Sequence, residues 1–109
     1  MKSGDLILVP FPFADIDVKK IRPAVILGFT QDEFQDLIIC AVSSNVPPKL
    51  GRFELVVEKS KINKLKTNSI IKVDRVVTIR SSQVLKKLGV LAKDQLELLK
   101  GRFIELIQK

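Results

Sequence analysis

Along most of this chain apolar residues come in short, β-branched runs broken by turn formers, and helical spacing emerges only near the end. The first run, 5–9 (DLILV), lies between Gly4 and Pro10 and predicts a strand near the start of a sheet. Pro10 and Pro12 have no N–H for a ladder, which places them at a sheet edge or where the strand leaves it. Residues 14–20 are polar and predict a loop. Two continuous runs, 23–29 (PAVILGF) and 37–43 (LIICAVS), predict buried strands on either side of a turn around Gln31–Asp36. A loop follows at Pro47, Pro48 and Gly51, then a half-exposed strand at 52–58 (RFELVVE). Residues 59–68 form a lysine-rich connection with room for one helical turn. The run 69–79 (SIIKVDRVVTI) predicts a strand with a bulge near Asp74 and Arg75, where the alternation breaks.

Beyond residue 80 the period changes. Ser81 or Ser82 can cap a short helix through Leu88, with Gly89 to end it. Leu96, Leu99, Phe103 and Ile107 then recur at helical spacing and predict an amphipathic helix over Asp94–Gln108, with the uncapping Ala92 before it. The expected fold is mainly β: a small barrel of about five to seven strands, a short helix and a C-terminal helix packed on the barrel. No linker, repeat or low-complexity segment divides the chain, so residues 1–109 read as one domain.

Composition adds a direction to this picture. Lys and Arg number 19 against 12 Asp and Glu, a formal net charge of +7. Lys59, Lys61, Lys64 and Lys66 lie close together in the connection before the last long strand. Such a field draws polyanions: nucleic acid, anionic lipid or an acidic protein segment. One cysteine allows no internal disulfide, no run approaches the length of a membrane helix, and MKSGD followed by a strand is no signal peptide. These features predict a cytoplasmic protein with no membrane partner.

There is no histidine, which removes Ser-His-Asp and Cys-His catalysis, two-histidine ribonuclease chemistry and most zinc sites. The five glycines are scattered and make no phosphate loop. An enzyme built from this chain works with Arg, Lys, Ser, Thr and carboxylates, without metal or organic cofactor. RNA cleavage by the substrate's own 2′-hydroxyl fits that menu, because the protein need only hold a phosphate, offset developing charge and move a proton. Arginine supplies bidentate donors to phosphate and stays charged throughout.

Gly4-Asp5-Leu6-Ile7, Pro10-Phe11-Pro12-Phe13, a polar loop and Arg22-Pro23-Ala24-Val25 together resemble the N-terminal signature of the MazF/PemK family of toxin endoribonucleases. Ala41-Val42-Ser43-Ser44, Ser69–Asp74, Thr78-Ile79, Lys87–Leu91 and 91–96 (LAKDQL) follow in the family's order, so the resemblance covers nearly the whole chain. It implies an SH3-like barrel shared with CcdB, a homodimer, and cofactor-free cleavage of single-stranded RNA to a 2′,3′-cyclic phosphate and a 5′-hydroxyl. It also implies an acidic antitoxin partner that keeps the toxin inactive.

By position, the resemblance makes Arg22 the catalytic arginine and puts Ser43 where many members have a catalytic threonine. Phe11, Phe13, Lys19, Lys20, Ser44, Asp74 and Arg75 become RNA-binding candidates, while Val77 stands where many members carry a basic residue. The general base stays open among Asp15, Asp17 and Asp74. Each candidate has a plainer reading: a solvated arginine at the head of a strand, a small serine ending one, a local Asp74–Arg75 ion pair, core phenylalanines, a solvated lysine face at 59–66. Two other functions fit the same barrel, a CcdB-like inhibitor of a protein target such as DNA gyrase and a non-catalytic RNA-binding barrel.

Overall fold

The computed structural model of the chain describes residues 1–12 and 19–108. Six antiparallel strands curl into a half-barrel with a C-terminal helix against it. They are β1 (Asp5–Pro12), β2 (Lys19–Phe29), β3 (Leu37–Ser43), β4 (Glu54–Val57), β5 (Ser69–Ile79) and β6 (Lys86–Val90), followed by α1 (Lys93–Ile107). Their order across the sheet is β4-β5-β3-β2-β1-β6.

Successive residues of the central strands feed two cores. Leu6, Val25, Cys40 and Val42 join Ile71 and Leu99 in the first, whereas Ile7, Ala24, Ile26 and Ala41 join Val9 and Phe11 in the second. Strands buried on both faces carry no polar alternation, which is why β2 and β3 read as unbroken apolar runs. α1 lies over the first core through Leu96, Leu99, Phe103 and Leu106. Leu106 takes the place expected of Ile107, which is 64% exposed.

The prolines fall where a missing N–H costs nothing. In a strand, the N–H and C=O of one residue point to the same side. Leu85 N–H donates to the Leu8 carbonyl at 2.9 Å, so even-numbered β1 residues turn their backbone toward β6 and odd-numbered ones toward β2. β6 pairs only with Asp5–Leu8, so Pro10 and Pro12 lie beyond its reach on that side. The β1–β2 bonds then run through the odd residues of β1 and their partners Arg22 and Ala24, leaving odd residues of β2 to face β3. Pro23 is one of these. It has no donor for β3, and the β2–β3 ladder stops at Ala24–Ala41.

Two segments differ from expectation. β2 begins at Lys19 rather than at residue 23, because Lys19–Arg22 pair with Val9–Pro12. Residues 81–88 are not a helix: a 3₁₀ turn at Ser81–Gln83 leads into β6. The open edge of β1 offers backbone partners that outweigh a weak local helix signal. Gly89, expected as a helix terminator, lies inside β6 and lets the strand pass beneath residues 62–63: a Cβ there would collide with the Ile62 carbonyl oxygen. The bulge expected near Asp74 and Arg75 is present, since Cys40 pairs with Val76 and Ala41 with Lys72.

Candidate active site

Where the β2–β3 ladder stops, the sheet divides. β2 continues with β1, as Arg22 pairs with Val9, and β3 continues with β5, as Ser43 pairs with Ile70. Arg22 and Ser43 each lie two residues beyond the Ala24–Ala41 pair, in register across the division. At this end of the sheet a cleft of about 290 Å³ opens. β1, β2 and β3 line it with Leu8, Arg22, Pro23 and Val42, Ser44 follows just past the end of β3, and β6 adds Leu88. The connection before β5 and the start of β5 supply Lys64–Thr67 and Ser69.

Val42 and Leu65 belong to the first core, so the floor is apolar and continuous with the interior. Arg22 is half-buried and its Nε is fully enclosed. A guanidinium rooted this way is held in orientation, which suits bidentate contact with a phosphate. Among the described residues, three cationic side chains line the cleft and no carboxylate does.

The lysines come from a built loop. Asn63 is only 2% exposed. Its Oδ1 accepts from the N–H groups of Ser60 (2.9 Å) and Leu65 (3.0 Å), and its Nδ2 donates to the Glu58 carbonyl at 2.8 Å. The Asn68 carboxamide closes the loop by accepting from Lys59 N–H at 2.9 Å. With Asn63 and Leu65 both turned inward, Lys64 between them takes the left-handed conformation, φ 56°. A non-glycine residue there costs about 1 kcal/mol or more and persists only where its surroundings enforce it.

The family model for PemK-like, MazF-like toxins of type II toxin-antitoxin systems matches residues 2–107 of this chain. The chain belongs to that family. Solved MazF structures share the fold of this MazF-like chain. Toxin MazF-mt6 of Mycobacterium tuberculosis superposes with a TM-score of 0.73 at 18% identity, over 95% of this chain and 96% of its own. MazF of Deinococcus radiodurans gives 0.74 at 20% identity, over 100% and 97%. A MazE–MazF structure from the same organism gives 0.70 at 17%, over 98% and 94%. No curated protein sequence matches the chain significantly.

The remaining candidates of this MazF-like chain are dispersed. Ser44 is exposed and shares the cleft with Arg22. Ser43 does not line it, and its Oγ accepts the Asn45 N–H at 3.1 Å. Phe11 is 2% exposed and packed in the second core, so it takes its plainer reading and offers no open ring face for stacking. Lys20 is exposed near the head of β2. Asp74 and Arg75, both exposed on the β5 bulge, line a separate depression of about 240 Å³ with Arg52, Phe53, Glu54 and Lys72. Phe13, Asp15, Asp17 and the side chain of Lys19 lie outside the described residues.

In sequence Lys64 and Lys66 belong to a lysine cluster whose plainer reading is a solvated face; that these two, with Thr67 and Ser69, line the cleft is what the fold adds. The period-two pattern Asn63-Lys64-Leu65-Lys66 was the available signal: its inward members are buried and its outward members reach the cleft. Among the described residues no helix is long and apolar enough to cross a membrane.

Proposed function

We propose that this MazF-like toxin is a metal-independent endoribonuclease of single-stranded RNA. The observation that carries the reading is Arg22, its head group rooted in a cleft that also offers a serine hydroxyl and two lysines and no carboxylate among the described residues. The 2′-hydroxyl of the substrate attacks the adjacent phosphorus. Its proton leaves to a base, the bond to the 5′-oxygen breaks, and the products are a 2′,3′-cyclic phosphate and a 5′-hydroxyl. Negative charge grows on the non-bridging oxygens as the phosphorus becomes five-coordinate. A fixed arginine stabilises that charge more than the charge of the ground state, which is the condition for raising the rate.

Arg22 therefore stabilises the transition state and hydrogen-bonds the departing 5′-oxygen, which takes its proton from solvent. Ser43, beside the cleft and in register with Arg22 across the divided sheet, orients the scissile phosphate from the rim, and Ser44 contacts the strand inside the cleft. Asp74 and Arg75 bind RNA further along, and Lys19 and Lys20 flank its path. The toxin acts as a cytoplasmic homodimer, silenced by an acidic antitoxin. The shared fold with the toxin of a MazE–MazF structure supports that partnership.

Incubating the purified protein with RNA in EDTA tests the reading. Cleavage with cyclic-phosphate ends is expected, and folded Arg22→Ala should lose it. Cleavage by Arg22→Ala at the wild-type rate overturns the mechanism, and intact RNA together with arrested gyrase moves the chain to the inhibitor class.

A further inference from the structure

The cleft carries more positive charge than a single scissile phosphate requires. At about 290 Å³ it has the size of a small ligand pocket, so an RNA strand that enters must run out across its rim. Lys64 and Lys66 both line the cleft and both come from the loop that Asn63 staples. Two neighbours of like sign, Lys59 and Lys61, lie in the same connection, exposed and outside the cleft. All four are exposed, and the fold divides the run into two that line the candidate active site and two that do not.

The conformation of Lys64 adds weight. Left-handed backbone favours glycine, yet a lysine stands here. Loop closure accounts for the geometry, since Asn63 and Leu65 must both turn inward, but glycine would satisfy that geometry better. What lysine adds is a cationic side chain on a residue that lines the cleft.

We propose that Lys64 and Lys66 form a second phosphate grip, holding a non-scissile phosphate of the RNA strand beside the phosphate engaged by Arg22. The proposal rests on the RNA reading above. The two amines are positioning groups: they set where along the strand Arg22 meets the backbone, and they take no part in bond breaking.

The test is the salt dependence of binding a short single-stranded 2′-O-methyl oligoribonucleotide, which has no free 2′-hydroxyl to attack. Each phosphate contact on a single strand contributes about 0.7 to the slope of log Kd against log salt. Lys64→Gly with Lys66→Gln removes the one phosphate contact and should therefore lower the slope by about 0.7. Glycine at 64 relieves the backbone, so the fold survives the change. The matched double variant, Lys59→Gln with Lys61→Gln, removes equal charge outside the cleft and should leave the slope near wild type.

An equal fall in both double variants overturns the proposal, because it reports a diffuse field and no grip. An unchanged slope in the Lys64/Lys66 variant also overturns it. If that variant instead loses salt-dependent binding to a polyglutamate peptide alone, the lysines serve an acidic protein segment and the proposal falls. A wild-type protein that binds no oligonucleotide at all removes the RNA reading itself, and this proposal with it.

Discussion

Gly89 lies so close beneath Asn63 that a Cβ on the glycine would stand 2.8 Å from both the carbonyl carbon and the carbonyl oxygen of Asn63. The contact is backbone against backbone, with Val90 N–H donating to the Ile62 carbonyl at 2.9 Å beside it. β6 thus supports the stapled loop that presents Lys64 and Lys66. Gly89→Ala must push the loop away from β6. The expected loss is about 1–3 kcal/mol of stability, as for other forced insertions into packed sites. Urea denaturation checks it, and an unchanged midpoint would show that the loop yields freely.

Asn63 does the same work from inside the loop. Asn63→Ala leaves the Ser60 and Leu65 N–H groups and the Glu58 carbonyl without their side-chain partner. Each group so stranded costs about 1–3 kcal/mol where water cannot reach it. A loss of roughly 2–4 kcal/mol is expected, with weaker oligonucleotide binding even at temperatures where the protein stays folded. Thermal melting and a binding titration on the same sample separate the two effects.

Ser43, the last residue of β3, and Ser44 just beyond it should differ in kinetics. Ser43 is in register with Arg22, whereas Ser44 lines the cleft. Ser43→Ala removes a hydrogen bond to a charged phosphate, worth about 1.5–3 kcal/mol, so kcat should fall roughly 10- to 100-fold. Ser43→Thr should restore most of it. Ser44→Ala should instead raise KM several-fold at nearly constant kcat. The reverse pattern would transfer the phosphate-orienting role to Ser44.

Cys40 links the first core to pH. Burial pushes its thiol up from 9.0 to about 12. In the unfolded chain the thiol ionises near its ordinary value, while in the folded chain it stays neutral. Stability from this residue is therefore complete below about pH 9 and lost progressively as pH rises toward 12. Cys40→Ala removes this dependence, so the wild type's stability advantage over it should shrink between neutral pH and about pH 10.5. A constant gap in urea midpoints across that range would contradict the assignment.

The β-rich class, the long strands and the C-terminal helix were legible because their causes are local. β-branched runs, prolines and helical spacing act within a few residues of themselves. The bulge at Asp74 and Arg75 was visible for the same reason, as a break in alternation. Arg22 was legible through its setting beside Pro23, and the fold shows the physics behind that pairing: the proline ends a ladder and the arginine stands at the opening.

Pairing and approach between distant segments needed the folded chain. Residues 86–90 become a strand only because β1 offers an open edge, and Gly89 matters only because residues 62–63 cross it. Phe11 and the lysines changed places in importance for the same reason. Burial took the phenylalanine into the second core, and a loop closed by Asn63 carried Lys64 and Lys66 to a cleft whose other wall begins some forty residues earlier, at Arg22. Local composition specifies which residues can bind phosphate; long-range backbone contacts decide which of them meet.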